Sequence, residues 1–339
     1  MTLRVALLGA GAMGTIMARD IYPRLAGEVE VAAVVDRHLE RGGPLAAGLG
    51  ATAYVSLDAA LRERSIDAVD IRLQHAAHSA ATIEALQHGL HVLVEKPLAT
   101  TLEECYAMIA AADRAGLTVA VAENYPHLAA VRATRAALAS GVVGELLTLR
   151  STRVYTLEGV WANTVWRQGD NPMAGILWDQ GTHHTSMLRA IAGEVTSVAA
   201  RSSSRLATEG AEAIMLTLQF ESGVVGQSLY CWGAPAVELE TEATAFGTSG
   251  RVEITVDYEG GRGLARFSVP EGSRDLSAVE SYYDSHRLIV EDWANAIRTG
   301  AAPRVGLADA TADVEVVVAA RESLARGGAP VALWEVRTP

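Results

Sequence analysis

Residues 3–14 read LRVALLGAGAMG, and this stretch decides the fold of the N-terminal part of the chain. Its first six residues are mostly apolar, as in a buried strand, and three glycines follow in a G-x-G-x-x-G pattern. In this pattern Gly9 permits a tight turn, Gly11 lets a pyrophosphate approach the backbone, and Gly14 lets the next helix pack close to the strand. The N–H groups at the start of that helix attract phosphate. The stretch, which includes Met13, therefore predicts a dinucleotide-binding turn between a strand and a helix.

An acidic residue, Asp36, follows the second predicted strand, Val29–Val35, near the position expected for the acid that binds the adenosine ribose. A carboxylate there accepts hydrogen bonds from the ribose hydroxyls and repels a 2′-phosphate, which favours NAD. The neighbouring Arg37 could instead hold a 2′-phosphate or stack on adenine, so NADP remains the alternative. Asp36 could also be an acid that only caps a helix or a loop.

The rest of the first third alternates apolar runs with alanine-rich stretches of helix length. The predicted strands and helices are Ala68–Leu73, His91–Val94 and Val119–Ala122, with Ser79–His88 and Leu102–Ala115 between them. Strands that alternate with helices indicate a parallel sheet. We therefore expect a Rossmann domain with a doubly wound parallel sheet over residues 1–123, and the overall fold class is α/β.

The pattern changes after Glu123, where one helix and then many strand-like runs follow, before two more helices. These segments are Leu128–Ser140, Leu146–Val154, Ile214–Phe220, Val224–Cys231, Glu238–Phe246, Arg251–Val256, Tyr283–Arg298 and Leu307–Ala325. Consecutive strands separated by short turns favour antiparallel pairing. Residues 124–339 are thus predicted to form a second α/β domain with a large, mostly antiparallel sheet, which binds the substrate and forms oligomers.

The composition limits the classes of partner. The chain has 339 residues and a net charge of −12, and an acidic surface disfavours nucleic acid and anionic lipid. It contains only two cysteines and no long apolar run, and its first residues lack the charged leader and cleavage pattern of a signal peptide. We expect a cytoplasmic protein that acts on a small molecule and spans no membrane.

Lys96 follows the predicted strand His91–Val94 in the sequence Glu95-Lys96-Pro97. In a doubly wound sheet the carboxyl ends of the strands face the ligand, so this lysine is expected near the nicotinamide and the substrate. The proline stiffens the turn and is a candidate for a cis peptide bond. An exposed surface lysine is the alternative.

Asp179 and His183 are four residues apart in the sequence DQGTHH, so on a helix they share one face. A carboxylate orients an imidazole and raises its basicity, as proton removal from an alcohol requires. A structural histidine is an equally open interpretation. A metal site made of Asp179, His183 and His184 is the weakest alternative, because the spacing is poor and no cysteine cluster accompanies it.

These motifs, in this order, resemble the Gfo/Idh/MocA family of oxidoreductases, and the resemblance covers essentially the whole chain. It extends to Glu123-Asn124-Tyr125, to Phe246–Gly250 and to Trp293, Gly300 and Pro303. It implies a Rossmann domain followed by a domain whose large sheet builds homodimers or homotetramers. The combination of Lys96, Asp179 and His183 resembles the catalytic residues of the inositol dehydrogenase branch. It implies that His183 is the acid/base, that Asp179 supports the substrate or the histidine, and that Lys96 polarises the reacting oxygen and positions the nicotinamide.

The chain departs from the family pattern at several places near the expected pocket. Leu73-Gln74 replaces the usual Thr-Pro, although His78 matches, and Pro126-His127 and Ser186 replace a usual Arg-Phe and a common aspartate. We still expect Gln74, His78 and Glu95 to contact the cofactor. The departures weaken any inference about the substrate more than they weaken the reaction class.

Aromatic residues precede Asp179, and their ring faces suit the C–H faces of a sugar or cyclitol. The predicted substrate-binding residues, besides the three catalytic ones, are Asn124, Tyr125, Tyr155, Trp161, Trp166, Arg167 and His184. Trp178 fits a core position equally well.

Three hypotheses follow. The first is NAD(P)-dependent oxidation of a secondary alcohol of a sugar, polyol or cyclitol, or the reverse reduction. The second is redox-assisted glycoside cleavage without net NADH formation. The third is a non-catalytic dinucleotide sensor, which the presence of Lys96 and His183 disfavours. No metal is expected.

Overall fold

A computed structural model describes residues 2–156, 175–203, 213–232, 241–257, 262–277 and 280–337. The chain forms two compact units, of which unit 1 comprises Met1–Glu123 with His286–Thr311, and unit 2 comprises Asn124–Ser285 with Ala312–Pro339. The predicted boundary falls after Glu123, where unit 1 and unit 2 also meet in the sequence, and the segment His286–Thr311 of the predicted second domain lies in unit 1. Trp293 and its neighbours pack into the core of unit 1, and this burial places their segment there.

Unit 1 contains a six-stranded parallel sheet with the order β3-β2-β1-β4-β5-β6. The strands are β1 (Leu3–Leu8), β2 (Val29–Val35), β3 (Thr52–Tyr54), β4 (Ala68–Ile71), β5 (His91–Glu95) and β6 (Val119–Ala122). The order reverses direction between β1 and β4, which is where a doubly wound sheet binds its ligand. The predicted Rossmann domain is confirmed, although β3 was not foreseen.

Five helices accompany this sheet among the described residues of unit 1 before residue 124. They are α1 (Ala12–Ile16, continued by a π turn at Met17–Ile21 and a 3-10 turn at Tyr22–Leu25), α2 (Leu39–Leu49), α3 (Leu57–Glu63), α4 (His78–Gln87) and α5 (Leu102–Ala115). The hydroxyl of Thr101 caps α5 by accepting from the Glu104 N–H, and Gly116 ends it in the left-handed conformation. Sequence analysis missed α2, because glycines and an internal proline, Pro44, hide its helical pattern.

Unit 2 contains a ten-stranded sheet with the order β14-β13-β12-β11-β7-β10-β9-β8-β16, and β15 pairs with β13. The strands are β7 (Leu146–Tyr155), β8 (Val195–Ser203), β9 (Ala213–Phe220), β10 (Val225–Trp232), β11 (Thr241–Gly247), β12 (Gly250–Asp257), β13 (Arg262–Val269), β14 (Gly272–Asp275), β15 (Glu280–Ser281) and β16 (Val331–Ala332). Among the described strands of this second sheet, only the β7–β10 pair is parallel, so the prediction of a mostly antiparallel sheet is confirmed.

The remaining α-helices of the described residues are α6 (Ala129–Ala139), α7 (Ile176–Ala192), α8 (Tyr282–Thr299), α9 (Leu307–Ala325) and α10 (Leu333–Arg337). Helix α7 packs on β7, β10 and α6, so one side of this helix faces the sheet of unit 2. Gly181 lets α7 approach α9 closely, since a Cβ atom at position 181 would lie 3.2 Å from the Val317 side chain of α9. None of the described helices has both the length and the apolar character needed to cross a membrane.

Candidate active site

The glycine-rich turn after β1 has the geometry that the sequence predicts. Gly9 has a φ of 103°, and a Cβ atom there would lie 2.5 Å from the Arg72 carbonyl oxygen. A Cβ atom at Gly14 would overlap the Gly9 carbonyl oxygen, whereas no atom lies within 4 Å of a Cβ atom at Gly11. Gly9 and Gly14 are therefore required by close packing, and exposed Gly11 leaves open backbone at the start of α1, beside half-buried Met13. This cradle fits the pyrophosphate of a dinucleotide.

Asp36 is fixed at the end of β2 by two backbone groups. Its Oδ2 accepts from the Ala10 N–H and its Oδ1 accepts from the His38 N–H, both at 2.8 Å. A carboxylate oxygen has a second lone pair, so the partly exposed Asp36 can still accept from ribose hydroxyls. Asp36 thus joins the glycine turn to the residues before α2 and remains available to a ligand. Arg37 and Gln74 are both exposed.

A buried cation lies beneath this turn. The Arg72 Nε donates to Asp70 Oδ1 at 2.7 Å and its Nη1 donates to Glu95, while the Tyr22 hydroxyl donates to Asp70 Oδ2 at 2.7 Å. Burial raises the pKa of Asp70 and outweighs the opposite pull of Arg72. Burial also acts to raise the pKa of Glu95, but Arg72 and the neighbouring cationic groups bring it below its usual value. We call these four residues the Arg72 network, and sequence analysis did not identify it.

Lys96 emerges from β5 directly after this network. Its backbone N–H donates to Oε1 of Glu95 at 3.1 Å, and its peptide bond to Pro97 is cis, as the sequence suggested. The Pro97 carbonyl oxygen faces Nδ1 of His78 at 2.8 Å, and the Leu73 carbonyl oxygen faces Nε2 at 3.2 Å. His78 is fully buried and ties two loops together. Its surroundings favour a positioning role over the direct cofactor contact that we predicted.

In unit 2, Asp179 and His183 lie one helical turn apart on α7 and are only 3% and 7% exposed. Oδ2 of Asp179 accepts from the Gln180 side chain at 2.9 Å and lies 3.5 Å from the Tyr155 hydroxyl. The His183 ring packs against the ring of Tyr125, with centroids 4.9 Å apart. The predicted carboxylate and imidazole therefore share a helix in a nearly closed environment, where their interactions are strong.

His184 has different surroundings. It is fully buried, its Nε2 lies 2.7 Å from Oε1 of Glu242, and its Nδ1 lies 3.1 Å from the Ser151 hydroxyl. Because both ring nitrogens have protein partners, His184 is a poor candidate for the substrate contact that we predicted. His183 and His184 are adjacent on α7, so their side chains point about 100° apart and have different surroundings.

Glu242, on β11, is a buried carboxylate that sequence analysis missed. Its Oε1 also accepts from the Tyr125 hydroxyl at 2.7 Å, and its Oε2 lies 3.9 Å from Nη1 of Arg153. Burial acts to raise the pKa of Glu242, but Arg153 and His184 together lower it to about 2. We call Tyr125, Arg153, His184 and Glu242 the Glu242 network.

The other predicted substrate residues have diverse positions. Asn124 is buried and its Nδ2 donates to the Ser285 hydroxyl at 3.0 Å, while Tyr155 is half-buried on β7. Trp178 is a core residue, as its alternative interpretation held, with the Arg321 guanidinium over its ring. Three further predictions, Trp161, Trp166 and Arg167, lie outside the described residues.

A metal site at Asp179 and the two adjacent histidines gains no support from the described residues. The one group of potential ligands found in that part of the chain is Asp58, Glu84 and His88, which are all exposed.

Two family models match the chain. The oxidoreductase family model with an NAD-binding Rossmann fold matches residues 3–123, and the Gfo/Idh/MocA C-terminal domain matches residues 131–253. The chain belongs to the Gfo/Idh/MocA family. It is accordingly an NAD(P)-dependent oxidoreductase with an NAD-binding Rossmann domain.

Individual members of the Gfo/Idh/MocA family resemble the chain over most of its length. D-xylose 1-dehydrogenase (NADP(+)) 2 of Haloferax volcanii is 28% identical over 95% of this chain and 98% of its own. A crystal structure of an Agrobacterium radiobacter oxidoreductase with NAD+, L-tartaric acid and magnesium has a TM-score of 0.86 at 21% identity, covering 99% of both chains. Levoglucosan dehydrogenase with NADH and levoglucosan has a TM-score of 0.83 at 22% identity, covering 98% of this chain and 100% of its own. The two structures support the fold.

Proposed function

We propose that the protein transfers a hydride between NAD and a secondary alcohol or ketone of a sugar, polyol or cyclitol. His183 is the acid/base of this reaction, Asp179 supports it, and Lys96 polarises the reacting oxygen. These three residues belong to different units, so their joint action on one substrate is part of the proposal.

The observation that carries the proposal is the identity of residue 96. Lys96 is the only lysine of the chain, and the other 27 of its 28 cationic residues are arginines. A guanidinium is a planar, forked donor, whereas an ammonium is a compact point charge with three donors. A chain that uses arginine everywhere else has a lysine at the carboxyl end of β5, which indicates that this position needs an ammonium.

The sheet register supports a position near the dinucleotide. Val94 of β5 pairs with Ile71 of β4, and Ile71 pairs with Leu8 of β1. The glycine turn after Leu8 and Lys96 after Glu95, the last residue of β5, therefore leave the sheet at the same edge.

The residues around the turn would hold the cofactor. Gly11 and the first N–H groups of α1 would receive the pyrophosphate, and Asp36 would receive the ribose hydroxyls and disfavour a 2′-phosphate. When bound, NAD supplies the acceptor for the hydride. NAD is therefore the preferred cofactor in this proposal, although the relative from H. volcanii is named for NADP(+).

His183 supplies the proton chemistry. In the oxidative direction an imidazole nitrogen of His183 takes the hydroxyl proton, the C–H hydride leaves with its electron pair, and the alcohol becomes a ketone. The ammonium of Lys96 stabilises the negative charge that develops on the oxygen. Asp179 supports the imidazole from one helical turn away on α7.

The names of similar proteins support the substrate class. They include a D-xylose dehydrogenase and a levoglucosan dehydrogenase, which both act on carbohydrates by name. A homodimeric or homotetrameric, cytoplasmic protein completes the proposal. The two cysteines, Cys105 and Cys231, form no disulfide, which is consistent with a reducing compartment.

A substrate screen tests this function. D-xylose, levoglucosan, myo-inositol and other polyols are offered with NAD or NADP, and NADH or NADPH formation is followed by absorbance. Net NADH formation supports dehydrogenation. Sugar conversion without it would instead favour redox-assisted glycoside cleavage.

Variants test the roles. His183→Ala is expected to lower turnover by about 100-fold or more, while dinucleotide affinity measured by calorimetry changes little. Lys96→Arg keeps the charge and should still lose most activity, because a guanidinium does not replace the ammonium. Exposed His88 provides the control variant His88→Ala, which should retain activity. Full activity of both His183→Ala and Lys96→Arg would contradict the proposal.

A further inference from the structure

Glu242 is a buried carboxylate that contacts His184 of α7 and that the proposed reaction does not use. It is 2% exposed on β11 and accepts hydrogen bonds from two elements at one oxygen, Oε1. Because a carboxylate can only accept, the Tyr125 hydroxyl and the Nε2–H of His184 must both be donors. Glu242 therefore determines where the Tyr125 hydroxyl and the His184 ring point their donor hydrogen atoms.

Tyr125 transmits this orientation to His183. The hydroxyl end of Tyr125 is held by Glu242 at 2.7 Å, and the face of its ring lies against the His183 ring at a tilt of 36°. A ring fixed at both its hydroxyl and its backbone has little freedom to rotate away. The position of the His183 imidazole is thus restricted by a side chain that Glu242 holds.

A second path leads from Glu242 to Asp179. The Arg153 guanidinium, which balances the charge of Glu242, stacks over the Tyr155 ring with its carbon 4.4 Å from the ring centroid. The Tyr155 hydroxyl in turn lies 3.5 Å from Oδ2 of Asp179. One buried carboxylate therefore contacts the supports of both proposed catalytic residues on α7.

We propose that Glu242 is a positioning residue that fixes the acid/base His183 through Tyr125 and supports Asp179 through Arg153 and Tyr155. This inference rests on the proposed function, because it gives His183 the role of acid/base. Glu242 itself contacts neither substrate nor cofactor in this proposal. The competing explanation is an ion pair that only stabilises the packing of α7 on the sheet.

The test uses three variants of the full chain and a matched control. Tyr125→Phe keeps the ring and removes the hydroxyl, Glu242→Leu removes all acceptors, and Glu242→Gln keeps an amide oxygen that can replace Oε1. Asp313→Asn is the control, since Asp313 is another buried carboxylate of unit 2 and pairs with Arg189 at 2.7 Å. It should lose stability without affecting the histidine.

Two measurements separate positioning from packing. In protein labelled with ¹³C-histidine, the ring signals of His183, assigned with His183→Gln, report the ring current of Tyr125. Turnover of D-xylose or levoglucosan with NAD gives kcat and KM. We expect Glu242→Leu and Tyr125→Phe to shift the His183 signals and to lower kcat by roughly 10- to 100-fold, with KM nearly unchanged. Glu242→Gln should recover most of both readouts.

The outcomes distinguish the two levels of the proposal. If His183→Ala is inactive but Tyr125→Phe and Glu242→Leu keep wild-type kcat and wild-type His183 signals, the positioning role is overturned. If Glu242→Leu does not fold, Tyr125→Phe and Glu242→Gln decide alone. Full activity of His183→Ala would instead reject the proposed function, and the ring signals would still show whether Glu242 places His183.

Discussion

The two units bury charge in opposite ways beside their candidate catalytic residues. In unit 1, the Arg72 guanidinium lies between two carboxylates, Asp70 and Glu95, directly before Lys96. In unit 2, one carboxylate, Glu242, pairs with Arg153 and accepts hydrogen bonds from the side chains of Tyr125 and His184. The first network is a fixed cation shared by two acids, and the second is a single acid shared by several donors.

This difference predicts different responses to pH. An arginine stays protonated at all pH values of interest, so the cation of unit 1 does not titrate. Burial raises the pKa of Asp70, whereas the surrounding cations lower the pKa of Glu95. A fall in pH therefore favours the folded state through Asp70 and disfavours it through Glu95. Glu242 has only a lowered pKa, and its contribution to stability must be lost in acid.

The largest effect is expected from removing the shared cation. Arg72→Met leaves Asp70 and Glu95 buried without their counter-charge, and breaking a buried pair in this way costs about 3–5 kcal/mol. Hydrogen exchange followed by mass spectrometry should show that the variant exchanges faster than wild type, with a larger increase in β4 and β5 of unit 1 than in β9 and β10 of unit 2. Arg41→Met, at an exposed position of α2, is the control and should change stability by less than about 0.5 kcal/mol. A loss confined to unit 2 would contradict the assignment.

The next effect is the acid sensitivity of unit 2. The pKa of Glu242 falls from an ordinary 4.5 to about 2 on folding, so its contribution is complete above pH 4.5 and disappears as the pH falls towards 2. The shift corresponds to about 3 kcal/mol. The stability difference between wild type and Glu242→Gln, measured by urea unfolding at several pH values, should therefore shrink below pH 4.5. A difference that stays constant down to pH 2.5 would show that the charge of Glu242 does not stabilise the fold.

Much of the fold can be predicted because local patterns and burial agree. The glycine turn and α5 have boundaries that their glycines and caps set, and five of the six strands of the parallel sheet appear as apolar runs. Helix α2 was missed because Pro44 and its glycines resemble a loop. Strand β3, between α2 and α3, is only three residues long and has no clear hydrophobic pattern.

The site residues were predictable only where a motif names them. Lys96 and the pair on α7 stand in recognisable sequences, but the two buried networks depend on residues far apart in the chain. Glu242 is one of three glutamates at alternate positions, 238, 240 and 242, and the sequence does not tell which carboxylate the fold buries. Arg72 likewise stands in an apolar run, where a charge signals a buried partner but not its identity.

The smallest effect is expected from a pair of matched hydroxyl deletions. The Tyr22 hydroxyl donates to Asp70 in unit 1, as the Tyr125 hydroxyl donates to Glu242 in unit 2, and both bonds are 2.7 Å long. Tyr22→Phe and Tyr125→Phe should each cost about 1.5–3 kcal/mol, the worth of a hydrogen bond to a charged group. Asp70 keeps its Arg72 partner in the first variant, so Tyr22→Phe should lower the melting temperature while kcat stays near that of wild type.

The contrast between these two variants sharpens the comparison of the units, because equal losses of stability should come with unequal losses of kcat. The ring of Tyr125 lies against the proposed acid/base, whereas Tyr22 packs in the hydrophobic core of unit 1. Melting temperature and kcat measured on the same two preparations check this expectation. Equal losses of kcat in both variants would mean that general destabilisation, rather than the position of His183, governs turnover.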